Sequence, residues 1–477
     1  GLSEKGYSVG VLEMGRRFND EDFPETTWNA RNFNWLPKIG LRGPLRFSAF
    51  KDVFIASGVA VGGGSIVYAN TLYRAADPFY ENEQWADMGD WKSTLEPHYH
   101  TAEKMLGVQT VPRGSAGQDY LKQVARHFNA EDTFRRTPCG VFFGEEGKTV
   151  PDPYFDGEGP PRTGCTFCGE CMQGCRVGAK NTLMKNYLWF AEKKGAVIHP
   201  EREVVHIEPL GAEDGSDGYR VVTQRPGAWL YTQQREFRAR GIVFSAGALG
   251  TNRLLARSKV EGDLPAISDR LGSLVRTNSE SVLAVTLPKG SGDTWNDVFI
   301  SSSIHPRPDT HIEFTTFGRN ADSMSLIYTM LTPNGTRLTR PLKWLGSLFR
   351  HPVTFFKATW PFGWSARTVG YLVMQPLDNA ISFRARRGLF GRFKFTTEQD
   401  KDKPNPTFIP IANEAAEVLA KETGGVPQSM VLEALGDFPT TAHILGGAVD
   451  GKEPQKGVLD SRQRVFGYRN MMICDGS

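Results

Sequence analysis

Two features of this chain could do chemistry: a histidine set just before a glycine pair, and a run of closely spaced cysteines. The first reads His443-Ile444-Leu445-Gly446-Gly447. An imidazole with its ordinary pKa near 6.5 can accept a hydroxyl proton around neutral pH, and two glycines let backbone approach a flat ring. A lone histidine among nine is usually structural; what sets His443 apart is the ordered set of motifs it belongs to. The second feature spans Cys165, Cys168, Cys171 and Cys175 in the spacing C-x2-C-x2-C-x3-C, that of bacterial ferredoxins. Four cysteines so close are too tight for several disulfides and suit thiolate ligation. In two-cluster ferredoxins the fourth cysteine serves the other cluster and Pro follows it. Here Arg176 follows and there is no second set, so one iron-sulfur cluster would draw three or four ligands from this run, with Cys139 a further candidate. A zinc ion or a single disulfide is the alternative.

These groups must be positioned by a scaffold, and its pieces are legible. Residues 6–15 form a short apolar strand ending in Glu13, the arrangement in which a carboxylate accepts hydrogen bonds from the ribose of a dinucleotide. The GxGxxG turn of such a unit is expected before Gly1. The strand-like run Val53-Phe54-Ile55-Ala56 leads into Gly62-Gly63-Gly64-Ser65, which with Tyr68, Ala69 and Asn70 reads as a cofactor cradle and not as a linker. Strands are expected at 196–198, 204–207, 219–223 and 241–244, the last running into Ser245-Ala246-Gly247 and a helix start suited to a phosphate. Residues 95–108, 120–128 and 183–191 have helical spacing, the first two read as core-facing. Residues 16–50 read equally as an excursion over the cofactor or as a surface loop. From residue 271 strand-like runs dominate, with a hairpin around Gly388 and Gly391 and a helix at 412–422. The aromatic stretch 342–364, interleaved with Lys343, Arg350 and Lys357, fits either a membrane-touching entrance or a buried helix; its weak period favours burial.

Taken together, VLEMG at 11–15, VGGGSIVYAN at 61–70, FSAGALGT at 244–251, HILGG at 443–447 and RVFGYRNMMICDGS at 464–477 resemble the glucose-methanol-choline family of FAD-dependent oxidoreductases. VYANTLY, GAKNTL, TNSES and MQPLDN are similar to its cholesterol-oxidase-like branch. The resemblance implies an α/β fold: a discontinuous Rossmann-like FAD-binding domain at 1–270 and 435–477, and an α+β substrate domain at 271–434 on a mostly antiparallel sheet. It implies FAD held by Glu13, Gly63, Gly64, Ser65, Tyr68, Ala69, Asn70, the backbone of Val204, Ser245, Ala246, Gly247, Asp475 and Gly476. His443 would assist deprotonation of a hydrophobic, sterol-like alcohol, with an Asn partner lying beyond Ser477. Tyr68 stands where related sterol oxidases carry Asn, and Asn70 comes two residues later, which bears on the flavin contacts there. Glu313 is the one candidate for the isomerising glutamate of sterol oxidases, although a surface or salt-bridged role is the simpler expectation. Some dehydrogenases of the family carry an iron-sulfur centre on a similar cysteine cluster.

Bulk properties narrow the field. A chain of 477 residues, 39% hydrophobic and 23% charged, can bury two or three domains. A net charge of +3 gives no footprint for nucleic acid. Six cysteines, four of them clustered, suit a reducing compartment, hence a cytoplasmic protein with or without membrane association. The partners expected are a small hydrophobic alcohol and an electron acceptor, either oxygen or a redox protein. Alternative functions are a flavin dehydrogenase acting on another alcohol or sugar through an iron-sulfur centre, a nicotinamide dehydrogenase, and a non-catalytic flavin- or metal-binding electron carrier.

Overall fold

The strand Gly10–Leu12 lies parallel to Val197–His199, pairing Gly10 with Val197. This is the first part of the dinucleotide-binding half, in a computed structural model that describes residues 1–477. A second parallel pair joins Ile242–Phe244 to Met471–Ile473, so the chain's last strand returns to the N-terminal half. A three-stranded antiparallel meander, Glu203–Pro209, Tyr219–Gln224 and Arg235–Ala239, stands beside them. Apolar residues from the second pair and the meander, including Ile207, Tyr219, Phe244, Met471 and Ile473, close on Leu255 of the helix Gly247–Glu261. Burial of side chains of this size contributes about 1.5–3 kcal/mol each, enough to hold sequence-distant strands in one layer.

The larger sheet is antiparallel throughout except where Thr440–Thr441 runs parallel to Phe54–Gly58. Its order is Leu45–Ala49, Phe54–Gly58, Thr440–Thr441, Glu280–Thr286, Thr368–Met374, Thr310–Thr316, Ile300–Arg307 and Arg135–Arg136. Strands from both sides of residue 271 therefore share it. Alternation along its central strands decides which residues meet the site. Leu283, Val285, Ile312, Phe314, Tyr371 and Val373 point to one face and pack on the helices Ala116–His127 and Pro410–Thr423. Glu280, Glu313, Leu372 and Met374 occupy the alternate positions, on the opposite face.

Two expectations are corrected. The helix expected at 95–108 runs from Trp91 to Leu106 and buries none of its residues, so it is not core-facing. Its six apolar positions are matched by six Lys, Glu and His residues, and Pro97 lies in its interior. The aromatic stretch 342–364 is not a buried helix either. It forms two helices, Thr339–Arg350 and Pro352–Thr359, whose Leu342, Phe349, Val353 and Phe356 are exposed, as are Trp360 and Phe362 just after them, while Ala358 and Trp364 enter the core. Residues 16–50 pack beside the glycine-rich turn, with Phe18, Phe23, Phe33 and Leu45 buried against Ala60, Ile66 and Val67.

Candidate active site

The cofactor side is built around the helix Gly247–Glu261. One Asp475 carboxylate oxygen accepts from the Gly247 backbone N–H at 2.9 Å and the Thr251 hydroxyl at 2.6 Å, seating an acid at a helix N-terminus where the dipole favours it. Asn252, one turn in, donates to the Ala248 carbonyl at 2.7 Å and the Gly446 carbonyl at 3.0 Å. Gly446 in turn donates its N–H to the Gly476 carbonyl at 2.6 Å. Gly446 and Gly447 both have positive φ, 82° and 96°, which only glycine adopts without strain. One helix thus clamps the HILGG and DGS motifs together, with the Ser245 hydroxyl donating to the Cys474 carbonyl at 3.3 Å. Ala246 donates its N–H to the Thr251 hydroxyl.

Across from it, Gly63–Ile66 is a single tight turn after the strand Phe54–Gly58. The Ser65 hydroxyl donates to the Gly62 carbonyl at 2.6 Å and accepts from the Leu183 N–H at 3.0 Å. A Cβ on Gly63, Gly64 or Gly247 would meet nothing within 4 Å, so these backbones border open space, as a flat or anionic ligand requires. Glu13 follows its strand and accepts from the Gly15 N–H at 2.6 Å; burial pushes its carboxyl up to about 7, against that hydrogen bond and the Arg46 charge. A half-buried acid with spare acceptor capacity fits a ribose diol. Val204 lies on the strand Glu203–Pro209, at the irregularity before His206. The residues present therefore fit a bound FAD.

His443 sits two residues beyond the strand Thr440–Thr441, which pairs with Glu280 through Thr440. Its Nδ1 lies 3.0 Å from one oxygen of Glu280 and 2.7 Å from the Asn278 amide nitrogen, which also donates to that same oxygen at 2.6 Å. The other Glu280 oxygen accepts from the Ala442 N–H at 3.1 Å. Thr441 donates to the Asn278 carbonyl oxygen at 3.0 Å and accepts from the His443 N–H, which fixes the chain around the imidazole. Glu280 keeps only 4% of its side chain accessible, while His443 keeps 49%, so the ring is held from behind and open in front. Burial disfavours the charged imidazole, but the Glu280 hydrogen bond and the Glu280 and Glu313 charges outweigh it and hold the pKa above its ordinary value. Glu313, expected at the surface or in a salt bridge, is instead 3% exposed on the sheet's site face. Burial pushes it up to about 7, and nearby His443 pulls the other way. The alternation of its strand, which places it opposite Ile312 and Phe314, is what buries it.

The four clustered cysteines carry no disulfide and together line one small cavity of about 20 Å³. Asn70 lines it as well, and Lys180 bridges it to the cradle by donating to the carbonyls of Ile66, Tyr68 and Cys171. The Tyr68 ring lies under the Lys180 ammonium at 4.6 Å. Cys139, fully buried, stands apart from that lining, beside the Ile300 carbonyl. Sequence reasoning missed Asn278, Glu280, Thr251, Asn252 and Lys180. Glu280 and Asn278 had one signal, the polar run Thr277-Asn278-Ser279-Glu280-Ser281 at the mouth of an apolar strand.

A half-buried acid at the end of a parallel strand, a helix clamping two glycine motifs, and a carboxylate-backed histidine suit a dinucleotide-dependent oxidoreductase. Comparison with known proteins specifies which. The family model for GMC oxidoreductase matches residues 161–273. The chain is 45% identical over its whole length to a cholesterol oxidase of Mycobacterium tuberculosis (strain ATCC 25618 / H37Rv), spanning 83% of that protein. It is 44% identical, again over its whole length, to a cholesterol oxidase of Acinetobacter baumannii, spanning 86% of it. Among solved structures, pyridoxine 4-oxidase from Mesorbium loti superposes with a TM-score of 0.57 at 14% identity, covering all of this chain and 90% of that one, which shows the shared fold. The chain belongs to the GMC oxidoreductase family, in its cholesterol-oxidase-like branch, and is an FAD-dependent oxidoreductase.

Proposed function

We propose that the protein oxidises the hydroxyl of a hydrophobic, sterol-like alcohol to a ketone or aldehyde. The observation that carries this reading is the Asn278–Glu280–His443 arrangement on the sheet face opposite the helical core, next to Gly446–Gly447. FAD, when bound, supplies the acceptor for the substrate's hydride. Glu280 faces Nδ1 of His443, so a proton held there leaves Nε2 with its lone pair on the accessible side, free to accept the substrate's hydroxyl proton. Glu13, Gly63, Gly64, Ser65, Tyr68, Ala69, Asn70, Val204, Ser245, Ala246, Gly247, Asp475 and Gly476 are read as the cofactor-holding set, and 1–270 with 435–477 as its domain. Leu372 and Met374 share the site face with Glu280 and Glu313 and offer an apolar wall to a sterol ring system.

Oxygen is the acceptor under this reading, as the name of the cholesterol oxidase relatives implies for them. The cysteine cavity favours a second reading, in which an iron-sulfur centre carries electrons from the flavin to a redox protein. The exposed apolar hairpin 339–359 serves membrane contact: its cations Lys343, Arg350 and Lys357 are offset by no acid between Asp322 and Asp378. No helix is long and apolar enough to cross a membrane. The reducing, cytoplasmic setting inferred from the cysteines belongs to the same proposal.

The test is anaerobic reduction of the bound flavin by a 3β-hydroxysterol, a short alcohol and a sugar in parallel, followed by oxygen or dye as acceptor. Sterol alone should bleach the flavin, and His443→Gln should lower that rate by roughly 10²–10⁴-fold with FAD still bound. Bleaching by sugar and not by sterol would overturn the substrate class. Turnover with a dye but not with oxygen would favour the second reading.

A further inference from the structure

We infer that Asn379 is a positioning residue for the active-site histidine: it holds Ser279 in the left-handed turn that sets Glu280, steadied by Asn278, against Nδ1 of His443. The inference rests on the reading of His443 as the base and adds a residue that neither the flavin motifs nor the sterol reading uses. Two runs of the sequence, Thr277-Asn278-Ser279-Glu280-Ser281 and Met374-Gln375-Pro376-Leu377-Asp378-Asn379, meet at the histidine's support.

The chain here passes from one sheet into another. Arg276 lies opposite Leu445 in a four-stranded sheet, and Glu280 lies opposite Thr440 and Met374 in the larger one. Between them stands Ser279, whose φ is 43°. A residue other than glycine seldom adopts that conformation, and serine lacks the tolerance of Asn and Asp for it. Backbone strain of this kind persists only where surrounding contacts over-determine it, and it gathers at functional sites. The next residue after the strained one is Glu280, 3.0 Å from the imidazole, and the one before it is Asn278, which donates to that same Glu280 oxygen at 2.6 Å.

The contacts that fix the turn come from the second run. The Asn379 amide nitrogen donates to the Ser279 hydroxyl at 2.8 Å, with Asn379 4% and Ser279 2% exposed. The Gln375 N–H donates to the Asn278 carbonyl at 3.1 Å. Arg276 donates to the Asn379 carbonyl at 3.0 Å and to Asp378 at 2.9 Å, which fixes Asn379 in its turn. The Asn379 Oδ1 is buried without a partner, so the Ser279 hydroxyl is the one hydrogen-bond partner of that side chain. A buried amide left half-satisfied costs stability; what this one secures is the conformation of Ser279.

The experiment follows the His443 imidazole by nitrogen NMR in histidine-labelled, FAD-loaded protein, with His443→Gln identifying its signal, alongside kcat and KM for a 3β-hydroxysterol. Glu280 and Glu313 are the charged groups that raise this imidazole's pKa, and Glu313 stands on its own strand, outside the turn. Asn379→Ala and Ser279→Ala each remove one end of the same hydrogen bond. In both, Glu280 is released from its place, so the imidazole should titrate at lower pH than in the wild type, and kcat should fall by roughly 10–100-fold with KM little changed. The double variant should lose no more than about twofold beyond either single one, because a single interaction is removed. Ser279→Gly lacks the hydroxyl yet takes a positive φ freely, so it should recover most of the kcat that Ser279→Ala loses. A merely structural role would lower Tm and leave the titration in place. An unmoved titration in both single variants, losses that multiply in the double variant, or a glycine variant as slow as the alanine one would each overturn the inference. Turnover that survives His443→Gln would instead overturn the reading of His443 as the base, while the imidazole titration still reports on Asn379.

Discussion

Glu280 holds His443 by its Nδ1 edge, Asn278 steadies that same Glu280 oxygen by donating to it, and Thr441 fixes the chain by accepting from the His443 backbone N–H. Glu280 is the positioning residue with the clearest signature, because its hydrogen bond and charge raise the imidazole's pKa against the effect of burial. If neutral His443 is the base, activity falls on the acid side as the ring takes up a proton. Glu280→Gln removes the raising influence, so the acid limb of kcat/KM should move to lower pH, while Asn278→Ala should lower kcat with a smaller displacement. An unmoved limb in Glu280→Gln would assign the titration to another group, Glu313 at about 7 being the nearest. The linked stability follows the same sign: a histidine with a raised folded pKa contributes stability that is complete below its unfolded value near 6.5 and lost as pH climbs through the folded value.

At the scale of elements, the helical hairpin 339–359 is rooted by one buried ion cluster. Arg340 is fully buried and reaches Glu433 at 3.3 Å and Asp437 at 3.1 Å, and Ser281, the neighbour of Glu280, donates to the other Glu433 oxygen at 2.9 Å. A surface device is therefore tied within two side chains of the active histidine's support. Removing one partner of such a cluster leaves buried charge uncompensated, so Arg340→Ala should destabilise by about 3–5 kcal/mol, read as a shifted urea midpoint. The apolar ridge makes a different demand. Phe349→Glu with Phe356→Glu should abolish sedimentation with anionic vesicles while leaving turnover of detergent-dispersed substrate within about twofold; retained vesicle binding would remove the hairpin from the membrane reading. A ridge of bulky side chains over cations is the pattern of interfacial helices.

At the scale of the whole molecule, the proposed cofactor site would gather residues from both ends of the chain, Glu13, Gly63 and Asp475 among them. Ligand that binds only the folded state stabilises it by about 2.7 kcal/mol at a hundredfold excess over Kd, so the full protein's Tm should climb with added FAD and flatten once sites fill. Much of this design was legible beforehand. The glycine turn, the acid after the first strand, the helix start at Gly247 and His443 are local signatures, each enforced by backbone freedom or by a strand or helix end, and such constraints act within a few residues. Glu280 was not legible as a site residue, nor was the burial of Glu313, because only pairing in the sheet sets which face their strands present; a shift of one residue would bury the opposite set. Exposure of Leu342, Phe349 and Phe356 was hidden for a related reason: helical period says that a stripe exists, and not whether another element covers it. The sequence by itself determined the family motifs, the cofactor class and the ligand types of the cysteine loop. Only the tertiary structure decided that Lys180 spans from the cradle to those cysteines, that one helix clamps two distant glycine motifs, and that a carboxylate stands behind His443, because each is a contact between segments that local forces leave independent until the two sheets and their helices bury their apolar faces.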